Sequence, residues 1–509
     1  MSKISKLAGE TALYGLGSIV PRFLNFMLFP LHTRVFNPED YGVVSYLYVF
    51  VAFLNIVYTF GMETAYFRYA TKEGNDPKRI FNIAQTTVAV LSLALSGTFI
   101  LLAGPIANSL SIPGKEHYII WLALIMFIDG VVALPFARLR LEKKPLKFAF
   151  ARIVNVLILI GLNLYFFVIA DWLVEGSISF DIKRLTDAAA TGNRYGIEYV
   201  FLANLIANAF YLVFFIKIWA KWRPVFAKAI FPSMRRYASP VMLTGLAGMT
   251  NEMFSRWTLE WWLPDNFYVG KSSMYAIGVF SAAYKYAVIM NLAIQAFRFA
   301  AEPFFFSNAS DKNSPALFAK VNHFFVITTS FILLSVTINI DVLKFLVGGE
   351  AYYEGLVTVP ILLAGYLFLG VYYNFSIWFK LTDKTYFGTL ITAGGALATI
   401  VLNFALIPYW GYVGSSWASL ACYFGMAVAC YLFGQKYYPI PYPVLAGLGY
   451  ILFALALIAL SHSITIANQG LATLFHITVM VAFALTAYLL ERKKFNRQNL
   501  SNFPTPNSK

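Results

Sequence analysis

The chain has 509 residues, of which 59% are hydrophobic, 18% aromatic and only 12% charged, about half the charged share of a soluble globular domain. That balance excludes a soluble multidomain protein. The net charge of +15 does not call for nucleic acid either, because the basic residues cluster between apolar stretches, where membrane topology demands them. Apolar stretches of membrane length, about 20 residues each, recur from Leu7 to Leu490. The reading is an all-α, polytopic membrane protein, since a β-barrel would show roughly ten-residue alternating segments instead.

About fourteen transmembrane helices are expected. The first six fall near 7–35, 41–66, 81–106, 118–139, 147–170 and 197–219. The next six fall near 237–262, 274–298, 316–346, 353–378, 387–408 and 412–434, and two more near 443–461 and 470–490. The first stretch is too long for a signal peptide and lacks a cleavage-type ending, so it stays as helix 1. The basic segments "RLRLEKKPLK" (138–147), "KWRPVFAKAIFPSMRR" (221–236) and "ERKKFNR" (491–497) place both termini in the cytoplasm by the positive-inside rule. External loops are short, the longest being 171–196, which leaves no room for a soluble catalytic domain.

The basic, proline-containing linker 221–236 divides an N-terminal lobe (1–220) from a C-terminal lobe (237–436), followed by two extra helices (437–491) and a cytoplasmic tail (492–509). An internal repeat supports this division. "GVVSYLY" begins at Gly42 and "GVFSAAY" at Gly278; "LNL" (162–164) pairs with "LNF" (402–404), and "FLANL" (201–205) with "SWASL" (416–420), in the same order. Six helices per lobe return the chain to the side where it started, so the lobes are related by a pseudo-two-fold axis along the membrane normal. Transporters built this way hold substrate between the halves.

Charges inside the spans are the chemical signal. An arginine at the bilayer centre costs at least about 3 kcal/mol on insertion scales and faces a bundle interior or a wet cavity. The central candidates are Arg22, Asp129, Glu252, Arg256, Glu260 and Lys285, with Arg68 and Arg298 near cytoplasmic span ends. Glu252, Arg256 and Glu260 are spaced i, i+4, i+8 on one helix face. That spacing fits either a closed ion ladder or a polar face toward a cavity. Arg22 and Arg256 occupy comparable places before the two repeat glycines. Arg22, Arg256 and Lys285 suggest an anionic ligand, for which the planar guanidinium fork suits phosphate. The stretches "YYNFSIW" (372–378) and "RWTLEWW" (256–262) offer aromatic faces to sugars, or anchor the spans at the interface. The two cysteines, Cys422 and Cys430, form no disulfide framework, and the five scattered histidines, His32, His117, His323, His462 and His476, form no metal-site spacing; packing is the reading for all of them. No metal and no cofactor are implied.

"RVFNPEDYGVVSY" (34–46), "GMETAYFRYA" (61–70), "IGVFSAAYKYA" (277–287) and "WGYVGSSWASLACY" (410–423) together resemble the polysaccharide-export branch of the superfamily that also contains multidrug-and-toxin extruders and lipid II flippases. The likeness is strongest to bacterial O-antigen (lipid-linked oligosaccharide) flippases. The resemblance implies a transporter, not an enzyme. It would move undecaprenyl-pyrophosphate-linked oligosaccharide across the bacterial inner membrane from the cytoplasmic to the periplasmic leaflet, in lipopolysaccharide or similar polysaccharide assembly. Its partners would be that substrate, membrane lipids and other polysaccharide-assembly proteins, with no nucleic acid. On this pattern Arg22, Arg256 and Lys285 are cavity cations, Arg68 and Arg298 entrance cations, and Asp129, Glu252 and Glu260 ion-coupling or orienting carboxylates. "FNPED" stands where the family more usually has a leucine-glycine-proline turn. The rival readings are a multidrug or cation antiporter of the same superfamily and, further off, a membrane glycan polymerase or glycosyltransferase.

Overall fold

A computed structural model describes residues 15, 17–110, 112–169, 196–227, 229–309, 311 and 313–501, the last eight as helix path alone. The beginning of the expected first span, most of the 171–196 loop and the end of the tail lie outside these residues. Among the described residues there is helix and no strand.

The helices, in chain order, are α1 (17–26 and Leu28–Val35), α2 (Pro38–Ala70), α3 (Pro77–Leu101), α4 (Glu116–Leu141), α5 (Pro145–Leu164) and α6 (Glu198–Phe214). After the linker come α7 (Phe231–Trp262), α8 (Ser273–Ser307), α9 (Ser314–Ile338) and α10 (Val359–Phe375). The run Tyr386–Tyr437 follows, then α13 (Val444–Ser463) and α14 (Gln469–Ser501). That run is bent at Gly411, whose φ of 53° and ψ of −134° suit glycine alone, so it makes two legs, α11 (386–410) and α12 (412–437). Among the described residues ten helices are long and apolar enough to cross a membrane. The fourteen-span expectation differs because this count takes α11 and α12 as one run, α6 has 17 residues, α7 is interrupted by charge, and α1 begins outside the described residues.

Helix starts follow from local chemistry. Asn37 caps α2 by accepting from the Asp40 amide at 2.8 Å, Pro38 opens the helix, and Glu39 and Asp40 sit in its first turn. Each of these choices satisfies or complements the unpaired amides of a helix N-terminus. "FNPED" is therefore a complete capping sequence in its own right. Asp76 caps α3 and Ser272 caps α8 in the same way.

The helices before and after the linker meet at the two glycines of the G-V-x-S-x-x-Y pattern. α2 and α8 cross at Gly42 and Gly278. A Cβ on Gly42 would stand 1.9 Å from the Met274 carbonyl oxygen, and one on Gly278 would stand 1.7 Å from that of Pro38. Only a missing side chain lets two backbones approach this closely. Around the crossing, on the side opposite the linker, Trp261 Nε1 donates to the Tyr46 hydroxyl (3.1 Å), Ser272 Oγ to Glu39 (2.6 Å) and the Tyr352 hydroxyl to the Phe36 carbonyl (2.9 Å). These bonds shut that face. α8 is buried along almost its whole 276–287 stretch, while apolar side chains such as Leu93, Leu157, Val213, Leu397 and Leu445 point outward, as a lipid-facing surface requires.

Candidate functional site: a two-walled cavity between the halves

Beneath the α2–α8 crossing lies a cavity of about 290 Å³, bounded by α1, α2, α5 and α6 on one side and by α7 and α8 on the other. The two sides differ in kind. α7 and α8 contribute Glu252, Arg256, Ser281, Tyr284 and Lys285. The N-terminal half contributes Asn25, His32, Ser45, Tyr48, Asn163 and Asn204 among its polar groups.

Arg256 is held by weak contacts. Its guanidinium carbon lies 4.1 Å from the centre of the Tyr284 ring, and Nη1 donates to the Met253 sulfur at 2.9 Å. Its Nε is buried without a hydrogen-bond partner among the described residues. The closed ladder does not form: among the described residues no ion pair joins Arg256 to Glu252 or Glu260. Glu260 instead accepts from the Ser273 hydroxyl at the far end, and the Glu252 carboxylate lies beside the Tyr366 hydroxyl. Each four-residue step rotates the side chain about 40° around the helix at 3.6 residues per turn, so Glu260 has left the face that Glu252 and Arg256 share.

Lys285 faces the same space, with no hydrogen bond or ion pair among the described residues. Its charge acts on both Arg256 and His32. Arg22 is exposed on α1, one turn before Asn25, and close enough to Glu252 for the two charges to interact, as Arg256 does from its own helix. Arg22 and Arg256 thus both act on the Glu252 carboxylate, and Lys285 shares the cavity with Arg256, whereas Arg22 is not among the residues that line it. An unpaired buried donor such as the Arg256 Nε is uncommon in folded proteins, and here it sits in the cavity that Lys285 also lines.

The remaining sequence candidates lie elsewhere. Asp129 accepts from Asn208 (2.9 Å) and Asn55 (3.4 Å), with Arg152 as its nearest named charge, inside the N-terminal half. Arg68 rests on the Tyr237 ring, 4.4 Å from its centre, and so joins α2 to α7 near the linker. Arg298 pairs with Glu302 at 3.3 Å and stacks on Tyr373 at 4.0 Å. Of the two aromatic stretches, 372–378 is packed inside, where Trp378 is buried and donates to the Cys430 carbonyl and Tyr372 is buried beside Thr392, whereas in 256–262 Trp261 is exposed. Cys422 and Cys430 are buried free thiols.

Sequence reasoning overlooked the neutral wall. His32 was assigned to packing, yet it lines the cavity and its Nε2 lies 2.7 Å from Asn163 Oδ1. The signal was present in the spacing: Arg22, Asn25, Phe29 and His32 fall at i, i+3, i+7 and i+10, one face of α1. A second cavity of about 200 Å³, almost wholly apolar, lies among α9, α10, α12 and α13, with Phe368, Phe375 and Leu448 in its walls.

These features define a class: an all-helical membrane protein with a polar cavity between two packed halves. Residues 31–191 match the family model described as polysaccharide biosynthesis protein. The fold is that of the lipid II flippase MurJ in an inward closed conformation, with a TM-score of 0.71 at 14% identity over 96% of this chain and 100% of that one. It is also that of an inward-facing multidrug resistance MATE transporter of the MOP superfamily (TM-score 0.61, 12% identity, 84% of this chain and 97% of that one). The Vibrio cholerae MATE transporter VcmN is similar too (TM-score 0.57, 14% identity, 85% and 97%). No curated relative matches the sequence significantly. The family match and the shared fold agree with the resemblance carried by the sequence motifs.

Proposed function

We propose that the protein is a flippase for a lipid-linked oligosaccharide, moving an undecaprenyl-pyrophosphate-linked glycan from the cytoplasmic to the periplasmic leaflet of a bacterial inner membrane. The observation that carries this reading is Arg256 and Lys285 in one cavity, with the Arg256 Nε left unpaired there and Arg22 close enough to Glu252 for their charges to interact. An unsolvated phosphate in hydrocarbon is prohibitively unfavourable, and charge-assisted bonds from guanidinium and ammonium groups replace its lost water.

The linker side, rich in lysine and arginine, is the cytoplasmic face in this scheme. The pyrophosphate enters from that side while the far face is shut by the α2–α8 crossing. Rocking of the lobe before the linker against the lobe after it then opens the far face. The isoprenoid tail remains in apolar surroundings, for which the cavity beside α13 is suited. A cation exporter would want carboxylates to predominate in this cavity, and here cations do.

The test replaces Arg22 by alanine in cells that depend on the protein for glycan display. Display lost at unchanged protein level supports the reading, and normal display at that level refutes an essential role for Arg22.

A further inference from the structure

The cavity walls differ in chemistry, and the difference is informative about the ligand. The α7–α8 wall carries fixed charges. The opposite wall, above Arg22, carries amides, hydroxyls and an imidazole, and no lysine, arginine or carboxylate among the described lining residues. Several of these neutral groups are underused. Asn25 is exposed and makes no hydrogen bond among the described residues. Asn204 donates to the Tyr48 hydroxyl at 2.7 Å, and its own carbonyl oxygen accepts nothing among the described residues. Phe29 and Tyr41 place apolar ring surface beside them.

An asparagine side chain offers two donors and an acceptor. A sugar hydroxyl both gives and takes one bond, so amides match it group for group, while ring C–H surface packs on aromatic faces. Pyrophosphate alone would leave the amide wall unpaired. A carboxylated sugar would find no lysine or arginine on that wall to pair with its charge. We infer that the wall formed by Asn25, Tyr48 and Asn204 holds the sugar directly joined to the pyrophosphate, and that this sugar is uncharged. The inference rests on the flippase reading, because it takes the charged wall as the pyrophosphate site.

The test measures binding to the purified full-length protein in lipid nanodiscs. The probes are geranyl pyrophosphate, its glucosyl, galactosyl and N-acetylglucosaminyl derivatives, and its glucuronosyl derivative. At least one neutral-sugar probe should bind roughly tenfold tighter than geranyl pyrophosphate, the worth of one or two neutral hydrogen bonds. The glucuronosyl probe should gain nothing. The double substitution Asn25→Ala/Asn204→Ala should remove the neutral-sugar gain and leave geranyl pyrophosphate binding within twofold, which also shows that the variant is folded. Tyr48→Phe, a milder change, should remove part of the gain. The inference is overturned if no neutral sugar binds tighter than geranyl pyrophosphate, if the glucuronosyl probe gains equally, or if the double variant keeps the preference. Geranyl pyrophosphate binding that depends on Lys285, without any sugar preference, sinks this inference alone. Absence of any pyrophosphate binding sinks the flippase reading beneath it.

Discussion

The two walls of the central cavity come from helices before and after the linker, and they differ in chemistry. α7 and α8 hold a carboxylate, a guanidinium and an ammonium within one space. The helices facing them hold amides, hydroxyls and one imidazole, with Arg22 at the edge. The two sides approach closely at Gly42 and Gly278, whose backbones touch. A symmetric cage would suit a symmetric ion, and an asymmetric one suits a ligand with a charged end and a neutral end.

Breaking the charged wall should have the largest effect. Lys285→Glu places a second carboxylate in the cavity that Glu252 lines, and pyrophosphate binding should fall at least about 100-fold, since a charge-assisted bond worth about 1.5–3 kcal/mol is replaced by repulsion. Titration calorimetry on the purified variant reads this directly. Next in size is the crossing itself. Gly278→Ala puts a methyl into the Pro38 carbonyl, and overpacking of this kind costs about 1–3 kcal/mol, visible as a lowered thermal unfolding midpoint. Smaller again is Asp129→Asn, which keeps the side-chain shape in its cluster with Asn55 and Asn208. Binding of pyrophosphate should stay within about twofold, because Asp129 is outside the cavity. A larger change would mean that the charged wall extends into the N-terminal half.

The smallest effect should come from the rim of the shut face. Lys271 pairs there with Glu354 at 2.9 Å, and both are partly exposed. Such pairs contribute about 0–1 kcal/mol, so Lys271→Ala should barely move the unfolding midpoint. The Tyr275 hydroxyl beside Lys271 holds its ammonium above the ordinary lysine range, and Glu354 adds to this. A raised lysine stabilises fully below the unfolded value of about 10.4 and loses that contribution only as pH climbs through the folded value. The midpoints of the parent and Lys271→Ala should therefore differ by the same small amount from pH 6 to pH 9.

The helical class and the placement of most helices were legible because hydropathy and length report them directly, and Gly42 and Gly278 stood out by their shared G-V-x-S-x-x-Y pattern. That the two glycines touch each other was not legible, since a repeat states equivalence and not contact. The charged wall was legible in part: an intramembrane arginine or lysine announces itself by its cost, and Arg256 and Lys285 do line one cavity. Cost alone does not say which charge is already partnered, and Arg68 and Arg298 are engaged with Tyr237 and Glu302 instead. The neutral wall was silent because one asparagine in an apolar helix carries no such cost. Only the helical spacing from Arg22 to His32 pointed to it.

The central claim is that cations in this cavity carry a pyrophosphate headgroup between leaflets. The most direct measurement is leaflet transfer of a fluorescent undecaprenyl-pyrophosphate-linked glycan in vesicles reconstituted with the purified protein, compared with the double variant Arg256→Ala/Lys285→Ala. The account predicts rapid transfer by the parent and at least a tenfold slower rate for the variant at equal incorporation. Equal rates for the two proteins would contradict it.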